Sequence, residues 1–121
     1  MARADEPHWH LLLQHAHHAG LDAFRQVATV SPCGFARVRI KPATSGFARW
    51  LSRTGLHNFR YDPRQGGIVA VVRLRPEDLP GLDRVTVLQS YSGAQAYAHG
   101  YAAVLAQDGY PAFASVLSQL I

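Results

Sequence analysis

The chain has 121 residues, 48% of them hydrophobic and 17% charged, with a net charge of +4. That is enough for one domain around one core and too apolar a balance for a disordered chain. A single cysteine, Cys33, excludes an intramolecular disulfide, and no apolar run reaches the roughly 18 residues needed to span a membrane.

The opening residues, MARADEPHWH, lack the apolar core of a secretory signal. Together with the lone cysteine they predict a cytoplasmic protein. Charge is unevenly placed. Between positions 35 and 75 nine basic residues face one acid, Asp62, a net +8; elsewhere three basic residues face seven acids, a net −4. Such asymmetry within one domain points to an anionic partner. The plain alternative is a solvated surface.

From about Pro7 to Ala28 the pattern is helical. Leu13, Ala16, Phe24 and Val27 share a stripe that Leu12, Ala19 and Ala23 widen. Gly20 either ends a first helix, with Leu21 to Ala28 as a second, or lies inside one long helix. Five histidines fall here: His8, His10, His15, His17 and His18. Only His15 and His18 have a spacing that puts two ligands on one helix face. No HExxH arrangement is present. The sequence therefore predicts solvated histidines, no metal and no cofactor.

The stretch PCGFARVRIKP, Pro32 to Pro42, alternates with period two. Ala36, Val38 and Ile40 take one face of a strand over Phe35–Lys41; Phe35, Arg37, Arg39 and Lys41 take the other. One apolar and one basic face define a sheet covered on one side. A short helix follows, about Ser45 to Thr54, capped by Thr44 or Ser45 and ended by Gly55. Phe47, Trp50, Leu51 and Thr54 form its inner face, and Arg49 and Arg53 its outer face. Trp50 has the spacing of a core residue rather than a base-stacking one.

Leu56 to Tyr61 reads as a second strand, Asp62 to Gly67 as a turn, and Ile68 to Arg75 as a third strand in a hairpin with the second. On the third strand Ile68, Ala70, Val72 and Leu74 face the core; Val69, Val71, Arg73 and Arg75 face away. Pro76 to Asp83 is a loop or single turn. Val85 to Leu88 reads as a short strand or extended connection. Ser90 or Ser92 caps a helix to about Asp108, with Tyr97, Tyr101, Val104 and Leu105 on its packing face. Gly100 within it predicts close approach of a neighbour. Pro111 to Ile121 fits an edge strand or a terminal helix.

After the leading helix the order is strand, helix, strand, strand, helix, strand. This is the α+β, ferredoxin-like or split βαβ arrangement, with a four-stranded antiparallel sheet and helices on one face. Its central pair would be the Phe35–Lys41 and Ile68–Arg75 strands. The open face then gathers Phe35, Arg37, Arg39, Lys41, Arg60, Arg73 and Arg75 as the candidate binding set. Like charges on neighbouring strands repel, which an anionic ligand would relieve.

The segments SPCGFARVRIKPATSGFARWL, GGIVAVV and QSYSGAQAYAHGYAAVLAQDG resemble a group of small proteins encoded by tailed phages, prophages and plasmids. Their shared motifs are CGFA-V-KPA-S-FARWL and GG-strand-QS-YA-A-VL. The similarity runs over most of the chain after the first helix. It implies a mobile-element origin in a bacterial host and carries no catalytic residues. This chain departs from the pattern at Arg37, where the group has tryptophan, and in a longer acidic insertion near Glu77–Asp83.

Three function classes follow. The first is a non-catalytic module that binds nucleic acid or nucleoprotein, with phosphate contacts from the arginines and Phe35 as a stacking platform. Val69 and Val71 stand where an RNA-recognition sheet presents aromatics, so sequence-specific RNA reading is not expected. The second is a host-defence inhibitor of the anti-CRISPR kind, docking on an acidic host protein surface. The third is a histidine-dependent metal hydrolase. The GxSxG, P-loop and GxGxxG signatures are absent. Cys33, His57 and His99 have no visible partner in sequence. The prediction is a binding protein without catalysis or a membrane partner; the oligomeric state, a homodimer included, stays open.

Overall fold

The structure is a computed structural model that describes residues 5–27, 29, 34–64, 66–108 and 113–120. The elements in order are α1 (Glu6–Val27), β1 (Gly34–Lys41), α2 (Gly46–Thr54), a 3-10 turn (Leu56–Asn58), β2 (Arg60–Asp62), β3 (Gly67–Val71), a second 3-10 turn (Pro76–Asp78), α3 (Arg84–Leu88), α4 (Tyr91–Gln107) and β4 (Phe113–Leu120). The sheet order is β2-β3-β1-β4, all antiparallel. This is the expected α+β, ferredoxin-like topology, with β1 and β3 central and α1 added outside the repeat.

Period-two burial explains β1. Ala36, Val38 and Ile40 are buried, whereas Phe35 is 40% exposed and Arg37, Arg39 and Lys41 are half-buried. Burying that apolar face supplies the largest favourable term, about 25 cal/mol per Å². Strand β4 resolves the C-terminal ambiguity: it pairs with the full length of β1, from Gly34↔Leu120 to Lys41↔Phe113. Cys33, Gly109, Pro111 and Ala112 lie outside the described residues.

Helix α4 packs on β1 and β4, and α1 packs along α4. Gly20 does not break α1. It is buried because the Tyr97 ring of α4 lies where a Cβ would stand, 2.6 to 3.0 Å away. Gly100 repeats the device from the other helix, since a Cβ there would stand 2.9 Å from the Ala19 carbonyl oxygen, the close neighbour that its mid-helix position predicted. Val27 departs from the predicted stripe and is 46% exposed, because it is the last residue of the helix. Trp9 takes a core place instead, against Phe47 and Trp50 of α2 at centroid distances of 5.7 and 5.3 Å.

Helix α2 is capped as predicted. The Ser45 hydroxyl accepts from the Ala48 amide, and Gly55 ends the helix at φ 67°. Thr54, expected on the inner face, is exposed and turns its hydroxyl back to the Trp50 carbonyl at 2.9 Å. The second strand is shorter than predicted: Leu56–Asn58 forms a turn, and only Arg60–Asp62 pairs with β3. The third strand ends at Val71 rather than Arg75. Val72 still donates to the Ala36 carbonyl, but Pro76 follows and the chain leaves the sheet for a 3-10 turn. Residues Val85 to Leu88 lie in helix α3 rather than a strand; with β2 and β4 on the edges, the sheet offers them no place beside a core strand.

Candidate nucleic-acid interface and a histidine pocket

Alternation places Phe35, Arg37, Arg39 and Lys41 on the open face. Register then decides what each cation meets. Arg37 stands opposite Val71 on one side and Leu117 on the other; Arg39 stands opposite Val69 and Ser115. Arg60 of β2 is also opposite Val69. The like charges expected to repel across β1 and β3 are not directly opposite one another, because β3 puts Val69 and Val71 against Arg39 and Arg37. Val69 is only 8% exposed although it lies on the open face. The hydrocarbon stems of arginine cover apolar surface well while leaving the head in water.

The Arg37 guanidinium lies 5.5 Å from the centroid of the Phe35 ring, a cation–π contact. Phe35 therefore orients a cation as well as offering a face. At the β2 side a groove of ≈ 500 Å³ is lined by Arg37, Arg60, Arg73, Asn58 and Tyr61. Arg73 reaches it from beyond the end of β3. Tyr61 borders the groove and is 59% exposed, but its register partner is the core-facing Ile68 and not a residue of the open face. Asp62 is the one carboxylate in the lining.

Arg75 does not join this set. The chain has turned away from the sheet there; its guanidinium lies 3.8 Å from Glu77, and its amide donates to Asp78 Oδ2 at 2.8 Å. Of the remaining basic residues, Arg53 pairs with Glu6 at 3.4 Å, and Arg49 and Arg64 are exposed on α2 and the hairpin turn.

The five N-terminal histidines are dispersed around α1. His8 pairs with Asp108 at 3.2 Å, His10 sits edge-on to Trp50, and His17 accepts or donates at Tyr97. Among the described residues no three histidine, cysteine or acidic side chains converge as a metal site.

What the sequence did not reveal is a pocket on the helix side of the sheet. His17 Nδ1 lies 2.6 Å from the Tyr97 hydroxyl and His57 Nδ1 lies 2.8 Å from the Tyr101 hydroxyl. The two imidazole centroids are 5.8 Å apart. His57 is an exposed residue whose ring turns inward, and its backbone is left-handed, φ 53° and ψ 24°, followed by Asn58 at φ 66°. Such a conformation costs a non-glycine residue about 1 kcal/mol or more. Fully buried Phe59 and the Phe59 amide bond to Leu56 hold it there.

Burial is the main cause of the electrostatics in this pocket. It lowers the pKa of His17, opposed by Asp78 and reinforced by His18. It lowers that of His57, with His17 and His10 adding to the effect. It raises Tyr97 and Tyr101 well above the ordinary phenol value, with Asp78 contributing at Tyr97 and Tyr97 at Tyr101. At neutral pH the rings are neutral imidazoles and the phenols keep their protons.

Compared with known protein families, with curated proteins and with solved structures, the chain matches none. The site has to be read from its own residues.

Proposed function

We propose that this chain is a non-catalytic binding module that takes a nucleic-acid strand on the basic face of its sheet. One observation carries the reading: Arg37, Arg60 and Arg73, from three separate segments, line one groove, with Phe35 exposed on the same face. Guanidinium groups from different strands track a phosphate backbone, and an aromatic face accepts any base, so the combination suits sequence-tolerant binding. Arg39 and Lys41 extend the positive track along β1. Phe35 with its stacked Arg37 provides the place for a base at the far end of the row.

The test is the double variant Arg37→Ala/Arg39→Ala, titrated against a labelled single-stranded oligonucleotide by fluorescence anisotropy. Binding by the parent should weaken with salt at a log–log slope of roughly −2 to −4, as expected if three to five cations neutralise phosphates on a single strand. The variant should lose measurable binding while melting like the parent. Undiminished affinity in the variant would remove the face from consideration. An absence of binding by the parent even at low salt would shift the proposal to an acidic protein surface.

A further inference from the structure

The groove leaves unexplained the pocket that opens on the other side of Arg73. Between α1, α4 and the Leu56–Asn58 turn lies a cavity of ≈ 540 Å³, within the usual range of small-molecule sites. His17, His57, Asn58, Asp78, Arg73 and Arg75 supply its polar wall. Val38, Ala70 and Val72 lie beneath, and the Tyr97 and Tyr101 rings close the side.

The hydrogen bonds decide which imidazole atom a ligand meets. Tyr101 is 2% exposed, and His57 Nδ1 is its hydroxyl partner. A buried phenol that keeps its proton must donate it, because the reverse arrangement leaves a buried O–H without an acceptor. Nδ1 of His57 is then the acceptor, and the neutral ring carries its proton on Nε2. The same argument applies to His17 and Tyr97. Two adjacent rings that line the cavity thus each keep an N–H at Nε2, and Arg73 and Arg75 border the same space. A left-handed backbone at His57, held against its own strain, is the mark of a side chain kept in place for a task.

We propose that this pocket is a nucleotide-binding site, in which His17, His57 and Arg73 hold the phosphate oxygens. Asp78 and Asn58 take hydroxyl or amino groups of the sugar or base, and the half-buried Val71, Val72 and Leu74 take the apolar face of the base. The carboxylate of Asp78 argues against a bare inorganic anion and for an ester with donors of its own. Its Oδ2 already accepts from the Arg75 amide, which tempers its charge. The pocket stands on its own geometry. It borrows from the basic-face reading only the idea that a strand in the groove, which shares Arg73, could supply the nucleotide as its phosphorylated end. Free nucleotide is the other source.

Binding an anion favours the charged imidazoles, so affinity should rise as pH falls below 6.5, the ordinary value from which both are lowered. The groups facing His17 are Asp78, His18, Tyr97 and His57, and those facing His57 are His17, His10 and Tyr101. Tyr97 and Tyr101 are positioning residues.

The experiment follows the imidazole resonances of His17 and His57 in the parent protein by NMR. The probes are adenosine monophosphate and a short oligothymidylate with and without a terminal phosphate. Adenosine monophosphate should move both rings at millimolar concentration or below. His57→Asn, which keeps a residue tolerant of the left-handed backbone, should weaken it roughly tenfold or more. Tyr101→Phe should release His57 from its single tautomer, visible in the ring nitrogen shifts, and weaken the nucleotide too. Arg37→Ala/Arg39→Ala should leave it bound. Movement of the rings by the phosphorylated oligonucleotide alone among the strands assigns the site to a strand end; movement by the mononucleotide alone assigns it to free nucleotide. If the mononucleotide leaves both rings unmoved the pocket proposal fails, even where the oligonucleotide still binds the open face. Nucleotide binding without oligonucleotide binding would sink the basic-face reading and keep the pocket. Should His57→Asn not fold, the parent titration decides.

Discussion

The two histidine–tyrosine pairs give the molecule a definite pH response. Both imidazoles titrate below 6.5 in the folded state, so the unfolded chain takes up protons first as the solution is acidified. Stability then rises with pH across the window between the lowered folded values and 6.5. The contribution of the neutral rings is complete above that window and is lost as pH falls through it. Melting temperature should therefore drop on acidification through this range. The double variant His17→Gln/His57→Asn should show a shallower drop than the parent, a comparison in which every other titrating group cancels. Equal slopes in parent and variant would mean that the two rings are not desolvated in the fold. These residues were illegible in sequence for a plain reason. His17 and Tyr97 are 80 positions apart and His57 and Tyr101 are 44 apart, so local periodicity says which helix face each occupies and nothing about what lies across from it. Phe35, Arg37, Arg39 and Lys41 were legible because the alternation that sorts them is confined to one strand.

At the scale of the element, the helix pair α1–α4 is governed by the removal of side chains rather than by their addition. Gly20 and Gly93 each lie against an aromatic ring of the other helix, Tyr97 and Phe24, within 3.0 Å of where a Cβ would stand. An isolated glycine in a helix interior is destabilising by about 1 kcal/mol relative to alanine. Here that preference is outweighed, because Gly20→Ala would drive its methyl into the ring of Tyr97. The variant should lose roughly 1–3 kcal/mol, the ordinary range for overpacking, as measured by urea denaturation. It should also disturb the His17–Tyr97 bond, since the ring that must move carries that hydroxyl. Stabilisation by the added methyl would show that the helices are further apart than they stand here. The sequence carried the hint in Gly100, whose position announced a close neighbour, yet left Gly20 divided between the end of a first helix and the interior of one long helix; only the partner ring on α4 explains why a glycine stands inside the helix. The segment His57-Asn58-Phe59-Arg60-Tyr61 misled for a related reason. Its aromatics look like strand residues, while the left-handed pair at its start is fixed by Tyr101 and buried Phe59, both non-local in effect.

The whole molecule carries its charge as two unequal halves, and the fold concentrates the positive one. The order of elements was enough to derive the sheet order, and the sheet order brought Arg37, Arg39, Lys41 and Arg60 to one side. The length of β3 was not derivable, because the alternation of Ile68 to Leu74 runs on past Val71, where the ladder stops, and so Arg73 and Arg75 part company, one at the groove and one beside Glu77. The three ion pairs among the described residues are His8–Asp108, Arg53–Glu6 and Arg75–Glu77, and none includes Arg37, Lys41 or Arg60. Self-repulsion across the open face should then be felt by the free protein. Register keeps it moderate by interposing valines, so the effect on stability should be roughly 1 kcal/mol or less. Screening at 0.15 M salt acts over about 8 Å, comparable to the separation of rows two strands apart. The free protein should melt a few degrees higher at that ionic strength than at low salt. Phosphate should raise it further than chloride at equal ionic strength, because a polyvalent anion that occupies the groove binds only the folded state. General exclusion of phosphate from protein surface also stabilises, and the Arg37→Ala/Arg39→Ala variant separates the two: exclusion survives the substitutions, whereas occupation and screening shrink with them. A parent whose melting point is indifferent to salt would mean that these cations are compensated within the fold. The face would then have no electrostatic reason to seek a polyanion.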